Sequence, residues 1–184
     1  MEADTTYRPD PAWSTARLIM RRPRTDDVAD VFAYASDPVV THFADWETAQ
    51  HLHQVAEVIQ GWQRDWESGA EFAWVVTESL IGRAIGAVSC RRKGGEVTLG
   101  YVLNRAHWAK GYATEVAAGL TERLFADPAL QLIRATCDEE NLASRRVLEK
   151  GRFTLRGRTS RDIARPQISP IPRPACLYER RSSD

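Results

Sequence analysis

Residues 97 to 115 constrain the fold more tightly than any other stretch of the chain. Val97, Leu99, Tyr101 and Leu103 recur at every second position, the period of a strand. A short polar turn follows. Gly111, Ala113 and Thr114 then open a helical pattern carried on by Val116, Ala117, Leu120 and Leu124. Small residues in such a turn let a bulky group approach the backbone. The first N–H groups of the helix lack internal partners and sit at the positive end of its dipole. Strand, small-residue turn and helix start together make an anion site, and the usual anion there is a phosphate. The chain has no G-x-x-x-x-G-K-[ST] and no G-x-G-x-x-G after a strand, so neither a nucleoside triphosphatase loop nor a dinucleotide fold is supported.

The segment Trp108-Ala109-Lys110-Gly111-Tyr112-Ala113-Thr114-Glu115 resembles the acetyl-CoA loop of the GNAT N-acetyltransferases. Within that family it resembles the branch that acetylates ribosomal-protein N-termini, the RimJ/RimL-like enzymes. A second block, Asn141-Leu142-Ala143-Ser144-Arg145-Arg146-Val147-Leu148-Glu149-Lys150, is similar to the family's Asn-x-x-Ser-x-x-Val-Leu-Glu-Lys. Two blocks in the right order are far more specific than either alone. A weaker likeness runs from Thr15 to Arg181.

The remaining pattern predicts one α/β domain over residues 15–184, preceded by a loose polar arm at 1–14. The expected fold is a mixed sheet of about seven strands flanked by about four helices, the order the acetyltransferase family shows. Strands are expected at 17–22, 72–77, 84–90, 97–103, 132–137, 153–158 and 175–180. Thr25 reads as the cap of a first helix ended by Asp37-Pro38, and Thr48 as the cap of a second, closed by Ser68-Gly69. Residues 159–174 carry Pro166, Pro170, Pro172 and Pro174 with no apolar period, and read as a long loop.

No apolar run approaches the ~20 residues of a membrane span. The acidic start, Met1-Glu2-Ala3-Asp4, lacks the apolar core of a secretory signal. Cys90, Cys137 and Cys176 are widely spaced without metal spacing, which fits buried thiols in a reduced, cytoplasmic setting. His51 and His53 face different directions on a helix, so no metal is expected. The 25 Lys and Arg balance 25 Asp and Glu, which argues against a nucleic-acid partner. Their placement is uneven. Eleven carboxylates and a single cation, Arg64, lie between Thr25 and Leu80, whereas eleven cations and four carboxylates follow from Arg145 onward. Solvated helix faces account for such runs, and so does an acidic half that draws a cationic amine beside a basic half that holds phosphates.

The resemblance implies acetyl-CoA as co-substrate and an amine, small-molecule or peptide, as acceptor; a homodimer is a further expectation. Main-chain groups of Tyr101, Val102 and Leu103 would meet the thioester carbonyl and pantetheine arm. The N–H groups of Lys110, Gly111, Tyr112, Ala113 and Thr114 would hold the diphosphate, with Asn141 and Arg146 as further cofactor contacts. Ser144, on the same helix face as Asn141, is the candidate acid for the departing thiolate. Asp45, Trp46 and Glu47 are candidates for the acceptor side. Tyr178 reads as core that could border the thioester tunnel.

Three positions depart from the family. Leu148 stands where many members carry a tyrosine acid. Thr98 stands where this branch usually has glutamate, leaving Glu96, two residues earlier on the same strand face, as the candidate base. Gly151-Arg152 inverts the expected order of glycine after the helix. The readings in competition are therefore a protein N-terminal acetylase, an acetylase of small amines such as aminoglycosides, and an acyl-CoA-binding module without catalysis.

Overall fold

Alternating apolar residues draw the chain into a sheet whose two faces are covered by different helices. The computed structural model describes residues 8–78, 82–159 and 163–183. In chain order these form β1 (Ala12–Ser14), β2 (Leu18–Arg21), α1 (Val28–Ala35), α2 (Pro38–Thr41), α3 (Leu52–Ser68), β3 (Phe72–Glu78), β4 (Ala84–Lys93) and β5 (Glu96–Leu103). There follow α4 (Tyr112–Leu124), β6 (Leu132–Asp138), α5 (Leu142–Lys150), β7 (Thr154–Arg158), β8 (Ile163–Arg165), β9 (Ser169–Arg173) and β10 (Ala175–Arg181). Eight strands make one mixed sheet in the order β1-β2-β3-β4-β5-β6-β10-β7, while β8 and β9 form a separate hairpin. Neighbours in the large sheet run antiparallel except β5 and β6, which are parallel.

On one face Val97, Leu99 and Leu103 pack with Leu120, Leu124 and Leu148 of α4 and α5. On the other, Val75 meets Tyr34 of α1 with Val55 and Ile59 of α3. Each such aliphatic side chain contributes about 1.5–3 kcal/mol on burial. Val97 and Leu99, expected on one strand face, do share it.

Several expected boundaries moved. Residues 1–7 of the expected arm lie outside the described residues, but its end is not loose. Trp13 is buried in β1, edge-on to Trp74 at 6.2 Å, and Trp74 Nε1 donates to the Asp10 carbonyl at 3.0 Å. Thr25 is not the cap: the Asp27 carboxylate takes the Arg24 N–H at 2.7 Å and pairs with Arg21 at 2.6 Å. Asp37-Pro38 opens α2, because Asp37 Oδ1 accepts the Val39 N–H and proline suits a first helical position. Thr48 lies ahead of α3 and bonds Thr41 Oγ1 at 2.5 Å; Gln54 instead accepts the His51 N–H at 2.9 Å. Gly69, at φ +77°, ends α3 as its sequence suggested.

The largest correction concerns residues 159–174. Ile163 pairs with Arg173 and Arg165 with Ser169, so part of the expected loop is the β8–β9 hairpin. Pro170 and Pro172 alternate with Ser169, Ile171 and Arg173, so their missing N–H groups leave the pairing positions free. An edge strand tolerates proline for that reason.

Candidate active site

Parallel pairing between β5 and β6 stops early. It joins Glu96 to Leu132 and ends at Leu99 opposite Ala135. From there β5 continues to Leu103 against β4, and β6 continues to Asp138 against β10. The inner edges of residues 100–103 and 136–138 therefore face a gap. A cavity of about 650 Å³ opens there, within the usual size of a small-molecule site. Thr98 to Val102 and Ala135 to Cys137 line it, with Asn141 and Ser144 from α5.

Of the two blocks singled out in the sequence, the second reaches this gap through Asn141 and Ser144; no residue of the first, Trp108 to Glu115, lines the cavity. Asn141 caps α5 by accepting the Ser144 N–H at 3.0 Å, and also lines the cavity. The Tyr101 hydroxyl lies 2.8 Å from Ser144 Oγ and 3.3 Å from the Ser144 carbonyl. Burial pushes the Tyr101 phenol above its ordinary range, while the Ser144 bond draws it down. The Cys137 thiol is pushed up to about 11, mainly by burial, with Cys176 adding to the rise and Ser144, Arg145 and Arg165 opposing it.

The turn after β5 has the shape the small residues predicted. Ala109 and Gly111 lie at φ +60° and +79°, and Gly111 caps α4. The first main-chain bond onto the cap runs from Glu115 N–H to the Gly111 carbonyl, so the N–H groups of Tyr112, Ala113 and Thr114 have no carbonyl inside the helix. A Cβ on Gly111 would meet only Arg17 Nη2, at 3.6 Å, so the approach to this backbone is open. Arg17 braces the turn: it bonds the Lys110 carbonyl at 3.0 Å and pairs with Glu115 at 2.6 Å. Three free N–H groups, an uncrowded glycine and an unpaired strand edge fit a phosphorylated thioester carrier. Lys110 is exposed beside the turn and Arg146 is exposed on α5.

The gap also opens toward α1 to α3. Asp45, Trp46 and Glu47 line the cavity and are exposed, so they form its mouth. Gln167, in the turn of the β8–β9 hairpin, donates to the Trp46 carbonyl at 2.9 Å and to Thr48 Oγ1 at 3.3 Å, tying hairpin to mouth.

Glu96 is not brought to this site. It lies at the still-paired beginning of β5, bonded to Arg134, and does not line the cavity. Glu71 is the carboxylate that lines it deeply, at 9% exposure, and Arg91 pairs with it at 2.8 Å. Arg165, 5% exposed, also lines the cavity and sits 3.9 Å from the buried Asp138. Neither Glu71 nor Arg165 carries a motif, so the sequence held no signal for them beyond their charge. Leu148 is fully buried and Tyr178, also buried, donates to Glu149. His51 and His53 do not face apart as the sequence suggested: His51 caps α3 in an extended conformation rather than lying within it, and the two rings stack at 5.4 Å. Among the described residues no acidic, histidine or cysteine cluster could hold a metal ion. No helix of the described residues is long and apolar enough to cross a membrane.

Comparison with known proteins agrees with this geometry. Residues 17–154 match the family model described as an acetyltransferase (GNAT) domain. The uncharacterized N-acetyltransferase YoaA of Bacillus subtilis (strain 168) is 29% identical over 151 residues, which cover 80% of this chain and 85% of that protein. The structure of RimL, the ribosomal L7/L12 alpha-N-protein acetyltransferase, in complex with coenzyme A superimposes with a TM-score of 0.80 at 15% identity, covering 92% of this chain and 97% of RimL. The microcin C7 self-immunity acetyltransferase MccE, solved with acetyl-CoA and AMP, gives a TM-score of 0.80 at 13% identity, covering 91% and 93% of the two chains. Matched over most of its length by that family model, the chain belongs to the GNAT family of acetyltransferases.

Proposed function

We propose that this enzyme transfers the acetyl group to a primary amine by direct attack on the thioester. The observation that carries the reading is the gap between β5 and β6, where Ser144 and the unpaired edge of Tyr101 and Val102 face one cavity, with Leu103 just behind them in the core. Acyl transfer of this kind needs a neutral amine, a donor for the oxyanion and an acid for the thiolate. The main-chain edge of Tyr101 to Leu103 supplies the donor and Ser144 the acid. Lys110 to Thr114 hold the diphosphate, with Asn141 and Arg146 as further contacts. Asp45, Trp46 and Glu47 receive the amine. With Glu96 turned away and Glu71 engaged by Arg91, the amine gives up its proton to water.

The acceptor is a peptide N-terminus or a small amine. RimL by its name acts on a ribosomal protein, whereas MccE by its name serves self-immunity to microcin C7, so one scaffold hosts different roles. Thr98 at the cavity, where a carboxylate base would stand, favours a second reading as an acyl-CoA-binding module. Turnover of acetyl-CoA against a panel of α-amino peptides and aminoglycosides separates these. Acetylation of one class names the acceptor, and binding of acetyl-CoA without turnover across the panel would overturn the enzymatic reading in favour of the module.

A further inference from the structure

Ser144 is held at its backbone, and its hydroxyl meets two side chains, the Tyr101 phenol and the Cys137 thiol. Its backbone is fixed by Asn141 Oδ1, and its hydroxyl lies 2.8 Å from that of Tyr101. A serine hydroxyl has one proton and two acceptor sites, and without a partner it rotates freely. Tyr101 does not share that freedom. Its backbone is locked opposite Val88 in the β4–β5 ladder, and its ring packs against the buried core.

We propose that Tyr101 is a positioning residue for the transfer: its O–H donates to Ser144 Oγ, leaving the Ser144 proton free to turn toward the sulfur of the breaking thioester. The inference rests on Ser144 as the acid. A bond donated to an oxygen strengthens that oxygen's own donation, because linked hydrogen bonds polarise one another. The distances favour the phenol as donor to Oγ: its single proton has two acceptors on Ser144, and the hydroxyl at 2.8 Å is nearer than the carbonyl at 3.3 Å, so the shorter bond takes the larger share. Burial raises the phenol, which keeps that proton on the hydroxyl. Across one turnover the amine nitrogen bonds the carbonyl carbon and loses a proton to water. The C–S electron pair passes to sulfur, which takes the Ser144 proton, and water restores the proton to Ser144.

A double-mutant cycle over Tyr101→Phe and Ser144→Ala tests the pairing, since Tyr101→Phe keeps the ring and removes only the hydroxyl. Tyr101→Phe is expected to lower kcat by about tenfold or more while KM for acetyl-CoA stays within about twofold. Added to Ser144→Ala it should cost nothing further, because the two act as one unit. The acetyl-CoA-induced rise in melting temperature should persist in all three variants. Unchanged kcat in Tyr101→Phe, losses that multiply in the double variant, or a loss confined to KM would each overturn the proposal. An intact kcat in Ser144→Ala would instead remove the acid reading beneath it, a result distinct from failure of the pairing alone.

Discussion

Gly86 gives the strictest test of how the β5 edge is placed. It lies opposite Leu103 in the β4–β5 ladder, and a Cβ added there would stand 2.3 Å from the Val102 carbonyl oxygen and 2.5 Å from Leu103 Cδ2. Real Cβ contacts essentially never fall below 3.0 Å, so Gly86→Ala must push the Val102 carbonyl away by roughly 0.7 Å, the difference between 2.3 and 3.0 Å. Because that oxygen belongs to the backbone rather than to a flexible side chain, the strands themselves must part. Overpacking of this sort costs about 1–3 kcal/mol. The functional loss should be of comparable size, since Val102 borders the gap and misplacement by about 1 Å at a reacting centre costs on the order of 100-fold, about 2.7 kcal/mol in the barrier. Chemical denaturation and acetyl-CoA turnover on one preparation read both quantities. Native turnover in Gly86→Ala would refute the claim that the main-chain edge of Tyr101 to Leu103 is placed by close strand contact.

Further outcomes concern the turns and the mouth. Acetyl-CoA at a hundred times its dissociation constant should stabilise the native protein by about 2.7 kcal/mol, and Gly111→Glu, which sets a carboxylate over the free N–H groups, should abolish that shift in a thermal melt. Arg152 holds φ +63°, a left-handed conformation costing a non-glycine residue about 1–2 kcal/mol, so Arg152→Gly should stabilise the fold by about 0.5–1 kcal/mol after the extra freedom of the unfolded chain is subtracted; a lower urea midpoint would contradict it. Asp45→Asn with Glu47→Gln should weaken the affinity for a cationic acceptor and flatten its dependence on salt while kcat at saturation changes less, because both acids stand at the cavity mouth, where they draw and hold the amine rather than move a proton in the transfer.

What the sequence made legible was local. The strand, turn and helix from Val97 to Leu124 were readable because alternation, small residues and helical spacing each act over a few neighbours. The cap of α5 at Asn141 was readable for the same reason. The β8–β9 hairpin was not, since Pro170 and Pro172 carry the usual signature of a loop and nothing nearby reveals that they sit at an edge. Glu96 shares a strand face with Thr98, as parity required. Its distance from the gap depends on where β6 stops pairing and on Arg134 beside it, both long-range facts. Glu71 and Arg165 enter the cavity from parts of the chain far apart in sequence, and a lone charge bears no mark of its destination. The inverted Gly151-Arg152 pair left the turn intact: Arg152 adopts the positive φ that glycine would have taken.

The lone parallel pair in the sheet has a consequence for how this enzyme can change. Antiparallel neighbours send their carboxyl ends to opposite edges, and only β5 and β6 deliver theirs side by side. Each strand leads into a helix, β6 into α5 at Asn141 and β5 into α4 after the turn that Gly111 closes, so both helix N-termini lie at the edge of the sheet where these strands end. On the proposed reading their dipoles would favour negative charge there, on phosphate or on the carbonyl oxygen under attack. That half of the machinery is dictated by connectivity. The opposite half, made of α1 to α3 and the hairpin that Gln167 ties to Trp46, carries no such obligation. If that half is the acceptor wall, as proposed, substitutions there would exchange one amine for another while the other half stays as it is, which would make it the part of this molecule most open to redesign.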